Sequence, residues 1–270
     1  MSNKEEITPE ESSKLFKWNL GLGLFHLLTG GAILLITDTD ATVPVYSFFP
    51  DPDSRGVAND WAPLAKEQFN FPVGYLAGIS ILIASLDHLI VATVGRKTYE
   101  SYLAGRRNPF RWIEYSLSAS VMHVMVAQLS GVFDIHLLFC IFGFTMTTMI
   151  FGNLMEVLNA ERDYDEPVWW APFLYGWIPH MYGWSIILCF FFYAVVKGDP
   201  PEFVWAIIFI IFGLDTTFPI VQILQQRGKG KWENYVHGEL WFCILSLTSK
   251  QLLAWLNYGG TAALNNEEPE

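Results

Sequence analysis

Long stretches without a charged residue constrain this chain more than any other feature of its sequence. Four blocks contain no Asp, Glu, Lys or Arg: Trp18–Thr37, Tyr115–Phe133, Ile135–Met155 and Pro167–Val196. Crossing the hydrocarbon core of a bilayer takes about 20 such residues. The composition agrees, because 16% of the residues are charged, whereas a soluble domain usually has about 25%. The sequence therefore predicts an integral membrane protein and excludes soluble enzymes.

The apolar segments predict an all-α fold, a bundle of seven membrane-spanning helices. The expected spans are Trp18–Thr37, Phe71–Val94, Pro109–Ser130, Ile135–Asn159, Trp169–Val196, Phe203–Gln225 and Val236–Tyr258. They leave an acidic tail over residues 1–17, a membrane domain over 18–258 and a second tail over 259–270. The connection over 38–70 is the long one; its segment Val43–Phe49 favours a strand, and the Pro50-Asp-Pro-Asp sequence predicts a turn.

The distribution of Lys and Arg predicts the orientation of these spans. Only Arg55, Lys66 and Lys197 fall on the side opposite the N-terminus, and apart from Lys250 every other basic residue falls on the side of the N-terminus. Loops rich in Lys and Arg face the cytoplasm. The N-terminus is therefore expected inside the cell, and the C-terminus and the loop over 38–70 outside, in a multi-pass protein of the cell membrane.

Lys250 is a basic residue deep inside the last predicted span. A lysine at the bilayer centre costs about 2.5–3.5 kcal/mol by insertion scales, so its burial must be compensated. One reading is a snorkelling or ion-paired lysine without chemistry; the other is an amine that forms a Schiff base with an aldehyde. Helical geometry places Glu239, Ser246 and Asn257 on the face of Lys250. This polar stripe is expected to face the interior of the bundle.

Glu114, in the third span, is the candidate partner of Lys250. It is the only acid between Arg111 and Asp134, and Ser118 shares its helical face. A carboxylate within about 4–6 Å favours the charged form of an amine. The alternative is an acid near the membrane interface that pairs with Arg111.

Several ionisable residues in the spans predict a polar cavity on the side of the N-terminus. They are His26, His88, Glu114, Glu156 and Glu239. A lone His in a span is usually a satisfied core residue, but a group of this size in one half of the bundle favours a hydrated cavity. His123, His180 and Asp215 lack such company and are expected to be plain core residues. The His and Cys spacings match no metal motif, so no metal site is expected.

The residues around the two candidates resemble those of a known family. Arg111-Trp-Ile-Glu114-Tyr is similar to the Arg-Tyr-x-Asp-Trp pattern that holds the counterion in ordinary microbial rhodopsins. The closer resemblance is to heliorhodopsins, because a Ser-x-Ser motif ends at Ser118 and the last span contains Ser246-Leu-Thr-Ser-Lys250-Gln. The expected cytoplasmic N-terminus and the long external first loop are also typical of that family.

The resemblance implies a cofactor and roles for the candidate residues. Lys250 would bind all-trans retinal, Glu114 would be the counterion, and Ser246 would lie beside the Schiff base. His26 and His88 would be the cavity histidines, and Glu156 and Glu239 the cytoplasmic-side acids. The family's serine one turn before the second-span histidine is Ala84 here, so that part of the polar network lacks a hydroxyl. Because a polyene needs aromatic packing, the expected pocket walls are Trp177, Tyr182, Trp184, Phe218 and Trp255.

The expected function is light sensing, with photoisomerisation and internal proton transfer but no net pumping. Ordinary proton pumps carry a second carboxylate eleven residues after the counterion; that position here is Met125. The nearest titratable residue, His123, is expected on the opposite side of the helix. A light-gated channel or weak ion transporter remains the alternative. A transporter without light chemistry is disfavoured, because the two halves show no paired interrupted spans.

The same reasoning predicts the partners of the chain. Retinal and lipid follow from the resemblance and the spans, and a homodimer is expected through the loop over 38–70 and the helices, because exposed strand edges invite pairing. A sensory role requires a cytoplasmic signalling partner, which the sequence does not identify. No enzymatic activity is expected. The net charge of −11 disfavours nucleic acid.

Overall fold

The computed structural model describes residues 6–50, 63–198 and 200–266, and the side chains as far as residue 260. The helices are α1 (Pro9–Ile36), α2 (Gly74–Ala92), α3 (Arg96–Ala104), α4 (Pro109–Leu129), α5 (Ile135–Asn159), α6 (Ala171–Lys197), α7 (Glu202–Arg227) and α8 (Tyr235–Asn266). Strands β1 (Thr42–Pro50) and β2 (Pro63–Pro72) form an antiparallel hairpin between α1 and α2. A 3-10 turn, Gly230–Glu233, joins α7 to α8.

All the helices except α3 correspond to the predicted spans. Within the described residues, α1, α2, α5, α6 and α7 are long and apolar enough to cross a membrane. Helices α4 and α8 have the necessary length but contain more polar side chains. Much of this polar surface is buried inside the bundle, as a stripe facing the interior requires.

The first and last helices are longer than their predicted spans. Helix α1 begins at Pro9 because Thr8 caps it: the Thr8 hydroxyl accepts from the Glu11 amide at 3.2 Å, and the Glu11 carboxylate accepts from the Thr8 amide at 2.9 Å. This capping box lies outside the apolar pattern. Helix α8 likewise continues to Asn266. The segments predicted as tails, 1–17 and 259–270, therefore contain helix, since hydrophobicity marks only the part of a helix suited to lipid.

Helix α3 lies in a connection that was expected to be short. It is polar overall, but Tyr99 and Leu103 are buried and pack against Leu15 of α1 and Tyr235 of α8. The Arg96 guanidinium donates to the Ser12 hydroxyl at 2.8 Å, which ties α3 to the start of α1. This end of the bundle, where α3 and the 3-10 turn lie, is called the α3 end below.

The predicted strand at Val43–Phe49 is confirmed as the central part of β1. Its partner β2 pairs from Thr42↔Pro72 to Pro50↔Pro63, with an irregularity between Val45 and Tyr46. The predicted turn after Pro50 lies outside the described residues. The Tyr46 amide donates to the carbonyl oxygen of Phe133 at 2.8 Å, in the turn between α4 and α5. The hairpin is therefore attached to the opposite end of the bundle from α3, called the hairpin end.

Candidate functional site

Lys250 and Glu114 lie next to each other in the interior of the bundle. Lys250 Nζ is 3.3 Å from Glu114 Oε1, and each side chain is 3% exposed. The same amine donates to the Ser246 hydroxyl, one turn earlier in α8, at 2.8 Å. It also lies 5.0 Å from the ring centroid of Tyr115, a cation–π distance. Helices α4 and α8 thus bring together an amine, a carboxylate and a hydroxyl away from solvent.

Glu114 is free of the alternative partner considered from the sequence. The Arg111 guanidinium bonds to Glu156 and Glu239 instead. Glu114 Oε1 has no hydrogen-bond partner among the described residues, and the same is true of the Ser118 hydroxyl. Ser118 is fully buried, and its carbonyl oxygen accepts from the Ser80 hydroxyl at 2.9 Å. Lys250 is therefore the nearest cation to a carboxylate oxygen that retains bonding capacity.

A mostly apolar cavity opens on one side of Lys250. Its aromatic lining comes from α4, α5, α6, α7 and α8: Trp112, Tyr115, Phe151, Phe173, Trp177, Phe218 and Phe242. Two of the expected wall residues, Trp177 and Phe218, are in this lining. Trp184 is buried behind it and donates to the Asp215 carboxylate at 3.2 Å. Tyr182 and Trp255 do not line the cavity; they are 59% and 43% exposed.

A second, smaller and more polar cavity lies on the α3 side of Lys250, bounded by Glu114, Ser246, Asp87, Arg111 and Glu239 among others. Arg111 bridges the two acids Glu156 and Glu239, and all three side chains are at most 5% exposed. Asn108 adds two bonds, from its backbone N–H to Glu156 at 2.9 Å and from its side chain to Glu239 at 2.6 Å. Buried charges need this degree of pairing.

The expected cavity histidines connect to the same network. His88 Nδ1 is 2.8 Å from Asn19 Oδ1, and the Asn19 amide is 3.5 Å from the Tyr99 hydroxyl, which donates to Glu239 at 3.2 Å. His26 stacks on His88 with ring centroids 5.8 Å apart.

Sequence reasoning missed Asn19, Tyr99, Asn108 and Gln251 as members of this network. Gln251 Nε2 is 3.0 Å from His26 Nδ1, so it extends the network to the residue after Lys250. Asn108 carried one local signal, its position before Pro109 as a helix cap. The other three carried none, because their roles depend on contacts between helices.

The expectation that His123, His180 and Asp215 are plain core residues is wrong. His123 Nε2 is 2.8 Å from Asp215 Oδ2, and the two residues line the apolar cavity together with Lys250 and His180. His123 does lie on the other side of α4 from Glu114, but that side faces the cavity rather than the packed core. The rotation about α4 was predicted correctly; the position of the cavity could not be read from one helix.

A solved structure of a known protein agrees with this architecture. The crystal structure of a light-driven proton pump from Leptosphaeria maculans is similar to this chain with a TM-score of 0.63 and 15% identity, covering 97% of this chain and 99% of that one. At that identity the likeness concerns the fold. No curated protein sequence gives a match. The fold is that of a microbial rhodopsin, and the long apolar helices define an integral membrane protein.

The sequence model of one family covers nearly the whole chain. The heliorhodopsin family matches residues 15–262, so the chain belongs to the heliorhodopsins. Membership implies a retinal chromophore. The residues present fit that group: a buried amine stands at the edge of an aromatic cavity, and a carboxylate oxygen with bonding capacity to spare lies 3.3 Å from it.

Proposed function

We propose that this protein is a light sensor that binds all-trans retinal as a Schiff base on Lys250, with Glu114 as the counterion. The observation that carries the proposal is the position of Lys250. Its amine stands between a cavity of aromatic walls and a buried carboxylate 3.3 Å away. When bound, retinal supplies a light-driven isomerisation that reorients the N–H bond at this amine. The protein's own side chains stabilise the charge on the amine and accept its proton.

Glu114 stabilises positive charge at the amine, because an anion at this distance in a site shielded from water favours the protonated form. Ser246 occupies the position one turn before Lys250, where ordinary pumps provide a second carboxylate. Its hydroxyl accepts from the amine without adding charge. Glu114 is therefore the principal counterion.

A proton released from the amine is proposed to move toward the α3 end. The polar cavity there connects Glu114 to Glu239, and hydrogen bonds lead through Tyr99 and Asn19 to His88. Met125, where a pump carries its second carboxylate, is fully buried in the apolar core. A proton that leaves and returns by one route gives no net transport. The distribution of Lys and Arg supports a cytoplasmic location for the α3 end.

The proposed assembly is a homodimer in the cell membrane that signals to a cytoplasmic partner. The strands support the dimer, because β2 is exposed over most of its length and, among the described residues, its outer edge pairs with no further strand. Apolar side chains of the hairpin are also open, with Phe49 60% and Leu64 53% exposed. A partner at the α3 end would contact the helix termini that surround the polar network.

Steady illumination of liposomes that contain the retinal-bound protein tests the proposal. We expect an absorbance change that decays in the dark and no lasting pH change that an uncoupler abolishes. A sustained, uncoupler-sensitive pH change would refute the non-pumping assignment. A voltage-dependent photocurrent would instead favour a light-gated channel. The matched control is Lys250→Ala in the same liposomes, which should give neither signal.

A further inference from the structure

His123 and Asp215 form a buried polar cluster on the far side of the aromatic cavity from Glu114. His123 on α4 is 7% exposed and Asp215 on α7 is 19% exposed. The Trp184 indole donates to the same Asp215 oxygen at 3.2 Å, and Trp184 packs edge-on against the His123 ring with centroids 5.5 Å apart. Thr145 of α5 completes the cluster, 3.1 Å from His123 Nδ1. Four helices therefore contribute to holding one His–Asp pair.

The hydrogen bonds around His123 suit a ring that is protonated at both nitrogens. The Thr145 hydroxyl donates to the carbonyl oxygen of Ile141 at 3.0 Å, so its oxygen is left to accept from His123 Nδ1. The other ring nitrogen faces the Asp215 carboxylate. A histidine with an acceptor at each nitrogen is satisfied when both nitrogens carry a proton. The arrangement suits an imidazolium–carboxylate pair, and the proposal below assigns the two charges on that ground.

The pair lies well away from the amine of Lys250. His123 follows Glu114 by nine residues, which separates them by about 13 Å along α4. The other ionisable side chains in the lining are His180, Tyr115 and Lys250 itself. A molecule attached to Lys250 and lying in this cavity would therefore have the Lys250–Glu114 pair at one part of its length and the His123–Asp215 pair at another.

We propose that the His123–Asp215 pair places two opposite, balanced charges beside the part of the chromophore remote from Lys250, so that the loss of either one changes the colour of the pigment. The inference rests on the proposed function. Light absorption by a protonated retinal Schiff base moves positive charge along the polyene away from the nitrogen. A negative charge beside the remote part lowers the excitation energy, and a positive charge there raises it. The two members of the pair therefore act in opposite directions and nearly cancel when both are present.

Opposite colour shifts in the single variants test this proposal. Asp215→Asn leaves the positive ring without its partner, and the absorption maximum should move to shorter wavelength, because charges interact strongly in a low-dielectric site. His123→Gln leaves the carboxylate, and the maximum should move to longer wavelength. The double variant should return close to the wild-type maximum. Shifts of the same sign, or none in either single variant, would overturn the proposal.

A second measurement uses the retinal-free protein. Nitrogen NMR of histidine-labelled protein should show His123 with both ring nitrogens protonated; His123→Gln should remove that signal, and Asp215→Asn should retain it. A neutral His123 ring in the wild type would overturn the proposal even if the colours change. Thr216→Val is the matched control on α7; its side chain is exposed and bonds to the Phe212 carbonyl oxygen, so neither measurement should move.

Pigment formation by the wild type and the colours of the variants test the proposed function and this inference separately. A wild-type protein that forms no pigment with retinal refutes the proposed function, and the colour assignment falls with it. A wild-type pigment whose colour is unaffected by Asp215→Asn and His123→Gln refutes the colour assignment alone.

Discussion

Replacing Arg111 with Met should remove a large part of the stability of this protein. The Arg111 side chain is 4% exposed and bonds to Glu156 and Glu239, whose side chains are 0% and 5% exposed. Removing one partner of a buried ion pair costs about 3–5 kcal/mol, because the remaining charge stays buried without compensation. Two carboxylates lose the same cation here, so the loss should fall at the upper end of that range. Asn108 continues to donate to both acids and prevents a larger loss.

Lys97→Met is the matched control. Lys97 also carries one positive charge but is exposed on α3. A surface substitution of this kind changes stability by about 0.5 kcal/mol or less. The comparison separates the effect of burial from the effect of removing a cation.

Equilibrium unfolding of the retinal-free protein by SDS, followed by loss of helical circular dichroism, measures both variants. The double variant Arg111→Met with Glu239→Gln should recover part of the loss, since one of the two uncompensated charges disappears. If Arg111→Met lost less than about 1 kcal/mol, the value of an exposed ion pair, the Arg111 bridge would not be a buried charge network and the reasoning would fail.

Three further predictions concern the chromophore site and the assembly. Lys250→Ala protein produced with retinal should be colourless, and a visible band in its absorption spectrum would refute the attachment site. Glu114→Gln should move the absorption band, to the red if the Schiff base keeps its proton and to the near-ultraviolet if it loses it; an unchanged spectrum at neutral pH would transfer the role to Glu239 or Asp87. In mild detergent and in nanodiscs the protein should have the mass of a dimer, with Phe49→Ser weakening association, and a monomeric mass in both would refute the assembly.

The amino-acid pattern predicts the membrane spans well, because each span must itself be apolar enough to lie in lipid. Hydrophobicity along the chain therefore determines where α5 runs, from Ile135 to Asn159 as expected. Where a helix extends beyond the lipid, hydrophobicity does not determine the residue at which that helix ends. Those ends depend on local chemistry such as the Thr8 cap of α1, and α3 depends on the burial of Tyr99 and Leu103 against other helices.

The candidate site divides in the same way. Lys250 is conspicuous in the sequence because the burial of a lysine in a membrane span must be compensated. The polar stripe that includes Ser246 predicts which face of α8 points into the bundle. The Arg111 bridge to Glu156 and Glu239 was not predicted, because it requires α4, α5 and α8 to converge. The partners of His123 were missed for the same reason, since Asp215 lies 92 residues later on α7.

The attachment of the hairpin has a mechanical consequence. Strand β1 is joined to the turn between α4 and α5 by the bond from the Tyr46 amide to the Phe133 carbonyl oxygen. Helix α4, which carries Glu114, ends a few residues before that turn. A force applied to the hairpin from outside the bundle acts on this turn. Because an α-helix is stiff, the force is transmitted along α4 toward the Glu114 carboxylate near its other end. A force on the hairpin can therefore strain the interior of the protein.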